Sequence, residues 1–274
     1  MPDYLARELA PLSNEEWGQL DELVVNVARK LLVGRRMLPV YGPLGAGALG
    51  VPLTELKVDE GTTRPARTTL LELHENPADF ALDWREIERA RQSHAPIDFG
   101  AAAGATVRVA DTEDSMIFGG CDHCGTAGLL TLDGGAKFTG GDWMDGESLY
   151  ADIVRATSEI MAAGQPGPFA VALSPKTRSL THRMIAHGMM LNQMIQDIAT
   201  AGVFTSRHVP DNKFLAMAVG PQVADLAVGI DATVAYVGNE GMSHLFRVIE
   251  TITLRLKMSS GICVVTAGKA SKAR

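Results

Sequence analysis

The chain reads as an α+β protein, with helices in its first two hundred residues and strands gathered toward its C-terminal end. Three observations carry that reading. Apolar residues recur at three- and four-residue spacing over 13–34, 98–118 and 148–163, the period of an amphipathic helix. Short apolar runs at 214–219, 226–230, 233–237, 245–258 and 262–266 follow one another with little but turns between them. The two kinds of element do not alternate regularly, so a βαβ arrangement is not indicated.

At 274 residues the chain can hold two domains or one elaborate one, and 46% apolar with 21% charged residues is ordinary for a globular protein. A net charge of −7 gives nucleic-acid binding no global electrostatic support. The opening residues MPDYLARELAP lack the positive and apolar regions of a secretory signal. No apolar run approaches the roughly 20 residues of a membrane span. Three cysteines, an odd number, argue against a disulfide framework and for a reducing compartment, so the expected location is the cytoplasm.

Residues 1–12 read as an arm. Ser13 and Glu16 spell a capping box, after which Trp17, Leu20, Val24, Val27 and Leu31 form one stripe of a helix ending near Gly34. That stripe calls for a partner, either the rest of the domain or a bound peptide. Gly45, Gly47 and Gly50 match the spacing of a dinucleotide fingerprint, but Pro52 and the alternating run Thr54–Val58 replace the helix such a site needs. A glycine hinge is the better reading. The run Thr54–Val58, the turn Asp59-Glu60-Gly61 and the run Thr68–His74 make a hairpin with little apolar surface, which is marginal alone and calls for a neighbouring surface.

A short helix is expected at Ala81–Arg91, with Trp84, Ile87 and Glu88 on or near one face. Asp98 is the expected N-cap of the long helix that follows, whose face is built from Phe99, Ala102, Ala103, Thr106, Ala110, Glu113 and Ile117. Gly119-Gly120 stops it. Residues 129–150 read as loop, Ser148–Ala163 as helix and Phe169–Leu173 as a buried strand. Ser174-Pro175 opens a helix running to Ala186; Gly188 breaks it, and a second helix spans Met189–Thr200. The run Leu245–Met258 is long for one strand, about 45 Å at roughly 3.3 Å per residue. The basic tail 267–274 is expected to be disordered.

No catalytic constellation stands out. Cys121 and Cys124 could serve zinc, redox chemistry or nothing; zinc needs four ligands and no second pair is present. Their place after a helix C-terminus disfavours a thiolate. The seven histidines show no ligand spacing, and neither a nucleophile elbow nor a Walker loop occurs. Met184, Met189, Met190 and Met194 read as packing residues.

Over nearly its whole length the chain resembles the encapsulins, the nanocompartment shell proteins once called linocin-type bacteriocins. The resemblance is carried by Ala10-Pro11-Leu12-Ser13 with Glu16-Trp17, Gly34-Arg35-Arg36, Gly42-Pro43, Ile87-Glu88 and Glu113-Asp114 with Ile117-Phe118 and Gly120. It continues through Gly128-Leu129, Gly167-Pro168-Phe169, Gly229 and Asp231 with Tyr236, Leu245-Phe246, and Glu250-Thr251 with Thr253.

The resemblance implies the Hong-Kong-97-type phage major-capsid fold: arm and lumenal helix over 1–50, extended loop over 51–80, and a peripheral domain with spine helix over 81–125. An axial domain over 126–224 and return strands over 225–266 complete it, before the 267–274 tail. It implies an icosahedral shell of 60 copies or a larger multiple, without enzymatic activity of its own. The shell would enclose a cargo enzyme of ferritin-like, hemerythrin or peroxidase type, bound by its C-terminal peptide. The implied cargo groove joins Val24, Val27, Ala28, Leu31 and Arg35 to Ile230, Asp231 and Tyr236. The break at His187, Gly188 and Met189 would rim a fivefold pore, although His187 could simply cap the helix before it. Flavin, held in some members by a tryptophan near position 85, is not expected, because Trp84 is shifted by one; no metal, nucleic acid or membrane partner is implied. A phage or prophage major capsid protein is the near alternative, and a thiol- or zinc-dependent enzyme using Cys121 and Cys124 the distant one.

Overall fold

The computed structural model describes residues 3–59, 62–122, 124–184 and 188–268. Two single 3-10 turns, Asp3–Leu5 and Arg7–Leu9, form the arm. Arg7 anchors it: its guanidinium is bidentate to Asp21, donates to the Val234 carbonyl and lies 4.5 Å from the Trp17 ring centre. Helix α1 (Asn14–Leu31) opens on the expected capping box. Glu16 N donates to Ser13 Oγ and Ser13 N to Glu16 Oε2. Its buried stripe is Trp17, Leu20, Val24 and Ala28. Val27 is half-buried and Leu31 is 40% exposed, so the lower end of the stripe is rotated from the expected one.

Helix α2 (Gly34–Met37) and strand β1 (Val40–Tyr41) follow. Then come β2 (Gly50–Asp59), β3 (Thr62–Glu72) and β4 (His74–Asp83). Gly50 opens a strand, not a helix, which removes the pyrophosphate seat of a dinucleotide site. The hairpin is longer than expected; its turn at Glu60-Gly61 lies outside the described residues. The region expected to be extended loop to residue 80 also contains most of β4, which the sequence reading missed. Asn76, Ala78, Phe80 and Leu82 of β4 alternate inward, but Pro77 disguises the pattern. Pro77 is tolerated because, among the described residues, β4 pairs with β13 alone and is an edge strand. Helix α3 (Trp84–Ser93) consequently starts three residues later than expected, with Asp83 as N-cap, and buries Ile87 and Ala90 while Glu88 is exposed.

The long helix α4 (Gly100–Gly119) begins after Asp98, whose carboxylate accepts from Gly100 N at 2.8 Å; the N-cap itself is Phe99. Its small residues Ala102, Ala105, Thr106, Val109 and Ala110 are buried, and so are the acids Glu113 and Asp114. Gly120 ends it at φ +87°. A Cβ there would meet the backbone of Thr126 and Gly128, so the crossing of those two segments requires glycine.

Strands β5 (Gly120–Cys121) and β6 (Thr126–Ala127) form a two-rung hairpin closed by a Cys121–Cys124 disulfide. This corrects the expectation of two incidental thiols: an odd cysteine count says nothing about a local pair when the third, Cys263, is buried in the core. It also removes the thiolates on which the zinc alternative rested.

The remaining elements are β7 (Ala136–Thr139), α5 (Gly146–Ala162), β8 (Phe169–Leu173), α6 (Pro175–Leu180), α7 (Leu191–Ile198), β9 (Gly202–Thr205), β10 (Lys213–Ala218), β11 (Ala224–Val228), β12 (Thr233–Glu240), β13 (Ser243–Leu256) and β14 (Ile262–Thr266). Strand β7 lies where loop was expected, and β9 was not expected. Ser174 caps α6 as read, but α6 ends six residues early, because Thr181 turns back on Arg178 and Met184 bridges to Met190. The expected disorder at 269–274 falls outside the described residues.

The long strand β13 organises the first sheet, pairing antiparallel with β4, β12 and β11, while β1 lies parallel to β11. Trp17, Phe80 and Tyr236 pack around Phe246 on this sheet, with ring centres 5.2–5.8 Å apart. The second sheet, ordered β7-β14-β10-β8-β9, forms a larger core with α5 and α7. The β2–β3 hairpin is a separate two-stranded ribbon.

Candidate functional site

Where α1 ends, Leu32 and Val33 turn the chain into α2 over the C-terminal half of α4. Asp114 holds this corner: its carboxylate accepts from Val33 N at 3.0 Å and Gly34 N at 2.8 Å. A Cβ on Gly34 would fall 2.9 Å from Ile117 Cγ2 and closer still to Cδ1, so glycine lets the corner lie on α4.

Arg35 then points into a buried acid cluster. Its Nε donates to both oxygens of Glu113 at 2.8 and 2.9 Å, its Nη2 to Glu250 at 2.8 Å and its Nη1 to Asp231 at 2.6 Å. Glu113 and Glu250 are fully enclosed, while the Asp231 side chain is 65% exposed. Asn76 Nδ2 donates to Glu250 Oε1 at 2.7 Å. Burial pushes the Glu250 carboxyl well above the usual carboxylate range, and the adjacent Glu113 charge adds to it. Burial also raises Glu113, against the pull of Arg35. Burial opposes the Arg35 charge, but the Glu113 hydrogen bond and the surrounding carboxylates outweigh it and hold the guanidinium firmly protonated. One cation thus faces two enclosed acids, an arrangement satisfied when Glu250 keeps its proton.

Above this cluster lies a groove of about 400 Å³, lined by Val25, Ala28, Arg29, Leu32, Arg35, Arg36, Asp231 and Ala232. Arg36 Nε donates to the Leu32 carbonyl at 3.1 Å, fixing the guanidinium at one wall. Of the residues expected to form a cargo groove, Ala28, Arg35 and Asp231 meet here. Val24 is 1% exposed beneath it, in the core, and Tyr236 is buried with its hydroxyl on Asn239 at 2.7 Å. Both are therefore corrected from groove lining to support. Ile230 is half-buried and tied to Thr251, and Leu31 faces a neighbouring 240 Å³ cavity with Val107, Asp111, Arg207 and His208. The sequence reading missed Val25 and Leu32, which with Ala28 sit at three- and four-residue spacing beside the buried stripe; that second stripe was the available signal.

Of the expected pore residues, His187 lies outside the described residues. Gly188 is exposed at φ +75° and Met189 is 49% exposed. Trp84 is 36% exposed at the start of α3, with the Arg85 guanidinium 5.5 Å from its ring centre. Among the described residues no cluster of three His, Cys, Asp or Glu side chains could hold a metal, and no helix is long and apolar enough to cross a membrane.

A family model described as encapsulating protein for peroxidase, Linocin_M18, matches residues 2–253. The type 1 encapsulin shell protein EncA of Myxococcus xanthus is 38% identical over 287 residues, covering all of both chains. The chain belongs to the encapsulin family. A diheme-cytochrome–encapsulin shell fusion protein of Kuenenia stuttgartiensis is 33% identical over 266 residues, 93% of this chain and 73% of the relative. In fold, this encapsulin is similar to a virus-like particle from Pyrococcus furiosus, with a TM-score of 0.79 at 23% identity over 92% and 99% of the two chains. It is also similar to the capsid of the Myoviridae phage XM1, with a TM-score of 0.66 at 12% identity over 85% and 90%. The Hong-Kong-97-type capsid fold is thus common to all three, while the family match separates this encapsulin from the phage alternative.

Proposed function

We propose that this encapsulin is a structural, non-enzymatic shell protein whose copies close into a hollow icosahedral particle around a cargo enzyme. The observation that carries the reading is the β2–β3 ribbon. From Thr62 to Thr68 every residue is exposed, Leu70 is 73% exposed, and Leu49 at its root is 81% exposed. A two-stranded ribbon is marginal in water by itself, and its long free edges suit it to lie on a neighbouring copy in a closed, heterologous assembly. Gel filtration and negative-stain microscopy of the purified chain should give uniform hollow particles. A folded monomer or dimer with no large particles would refute the proposal.

Within the shell, the groove between α1, α2 and the 230–232 turn takes the C-terminal peptide of the cargo. Its apolar floor of Val25, Ala28 and Leu32 fits alternate apolar side chains of an extended segment. The peroxidase in the family description and the cytochrome fused to the Kuenenia relative support a redox or iron-handling enzyme as the cargo class. Co-expression with a peroxidase or ferritin-like candidate cargo, with and without its C-terminal segment, tests this. Encapsulation independent of that segment would sink the groove assignment. The segment at Gly188 and Met189 rims the fivefold opening through which small solutes reach the cargo. Charge reversal at position 187 should change solute entry without preventing assembly; unchanged entry kinetics would refute it.

A further inference from the structure

The Cys121–Cys124 disulfide sits at a junction. It lies just past the C-terminus of α4, and Cys124 lines two adjoining cavities of about 540 and 420 Å³. The first reaches Ala48, Leu49, Glu72 and Leu73 at the root of the β2–β3 ribbon; the second runs along α4 to Ser115 and Met116. His74 and Glu75, where the ribbon returns to the first sheet, line both. His74 Nε2 is enclosed and has no hydrogen-bond partner among the described residues.

The disulfide is not needed to close its turn. Cys124 N donates to the Cys121 carbonyl and Gly125 N to the Asp122 carbonyl, each at 3.1 Å, and β5 pairs with β6 beneath them. A bridge spanning three positions also removes little chain entropy compared with longer loops. Its surroundings set its preferred state. Asp122 and Glu75 line the 420 Å³ cavity, whose third acid, Asp111, is paired with Arg207 and His208, and the preceding helix ends at Gly119, so the remaining negative charge and the dipole both oppose a thiolate. A pair whose reduced form is poorly stabilised favours the disulfide. Access is unequal, since Cys121 is 6% exposed and Cys124 is half-buried on the cavity side.

We propose that Cys121 and Cys124 are a redox-active dithiol–disulfide site at the root of the ribbon, which passes two electrons to small-molecule disulfides entering by the cavity. Cys124 loses its proton and attacks one sulfur of the incoming disulfide. The S–S bond of the acceptor breaks, one thiolate leaves, and a mixed disulfide forms on Cys124. Cys121 then loses its proton and attacks Cys124 Sγ, forming the protein disulfide and releasing the second thiolate. The two protons pass to the two leaving thiolates, so one dithiol and one small disulfide become one protein disulfide and two small thiols.

The test uses full-length assembled particles carrying Cys263→Ser, which leaves only this pair. Particles reduced with dithiothreitol are exposed to oxidised glutathione, acid-quenched, alkylated and weighed intact. Both alkylatable thiols should be lost, with a midpoint on the reduced side of the glutathione couple. Persistence of both thiols would overturn the proposal, as would a disulfide that dithiothreitol opens only after the chain unfolds. In a second pair of variants, Cys121→Ser should form a mixed disulfide with glutathione and Cys124→Ser should not. Equal adducts on both would overturn Cys124 as the point of entry.

Discussion

Replacing Glu250 with glutamine tests the shared proton in the acid cluster. Glu113 and Glu250 both titrate above the usual carboxylate range in the folded chain, because both are enclosed and share one guanidinium. A group whose pKa is raised by folding binds its proton more tightly in the native state, so its stabilisation is complete below the unfolded value, about 4.3 for glutamate. That stabilisation is then lost as pH rises through the folded value. Each such group contributes a slope of at most about 1.4 kcal/mol per pH unit within its window. Carboxylates pulled down by arginines, such as Asp79 beside Arg247, act in the opposite sense and below about pH 4, the unfolded range of aspartate, so the two effects separate. In Glu250→Gln the amide stands in for the neutral acid. It keeps either the Asn76 or the Arg35 hydrogen bond as acceptor and loses the other, at a cost of about 1 kcal/mol. The Glu250 titration is thereby removed, while Glu113 stays enclosed and keeps its raised value against the pull of Arg35. Guanidinium-induced unfolding of the full chain at intervals from pH 5 to 8 should therefore show the wild type losing stability as pH rises, and the variant following a flatter curve. Parallel curves would refute the shared proton.

Three further outcomes follow from the same geometry. Arg35→Met strands Glu113 without its cation and should cost about 3–5 kcal/mol in the same unfolding assay; adding Glu113→Gln should recover much of it. Gly34→Ala places a methyl against Ile117 and should cost about 1–3 kcal/mol; combined with Ile117→Ala, the loss should be smaller than the sum of the two single losses, as thermal melts of the single and double variants would show. Val25→Asp changes an exposed residue (44%), so particles and their melting should be unaffected within roughly 0.5 kcal/mol. Losing one apolar groove contact should weaken labelled cargo peptide about tenfold, corresponding to about 1.4 kcal/mol, in a fluorescence titration.

What could be read from the sequence follows from how local each signal is. The Ser13–Glu16 box and the Ser174-Pro175 start are settled within four residues, and both occur as read. Strand β13 announces itself by its alternation, from Phe246 and Val248 inward to Arg247 outward. Strand β4 does not, because Pro77 and Asn76 look like breakers until β13 supplies the edge on which the proline is harmless and Glu250 supplies Asn76 with a partner. The end of α6 is likewise a tertiary matter, since nothing between Thr181 and Met184 forbids a helix locally. In the groove, Ala28, Arg35 and Asp231 were legible through the family resemblance, but the rotation of α1 was not. It is fixed by Trp17 meeting Phe246, a contact across 229 residues of chain, and that rotation sends Val24 inward and Val25 out.

Arg35 is both a wall of the groove and the counter-ion of the cluster beneath it, and the second role limits the first. Its Nε and Nη2 are committed to Glu113 and Glu250, and its Nη1 reaches Asp231 at the rim. With Glu250 protonated, that constellation carries one positive and two negative charges, so a peptide lying above it meets no unpaired cation. The positive charge the groove can offer comes from Arg29 and from Arg36, which the Leu32 carbonyl holds in place. In the proposed peptide-binding role, recognition would rest on the apolar floor of Val25, Ala28 and Leu32, with the two outer arginines steering at longer range, where salt would screen them. Arg35 ties α2 to the 231 turn through Asp231 and so fixes the groove's width, a structural role that the buried acids enforce.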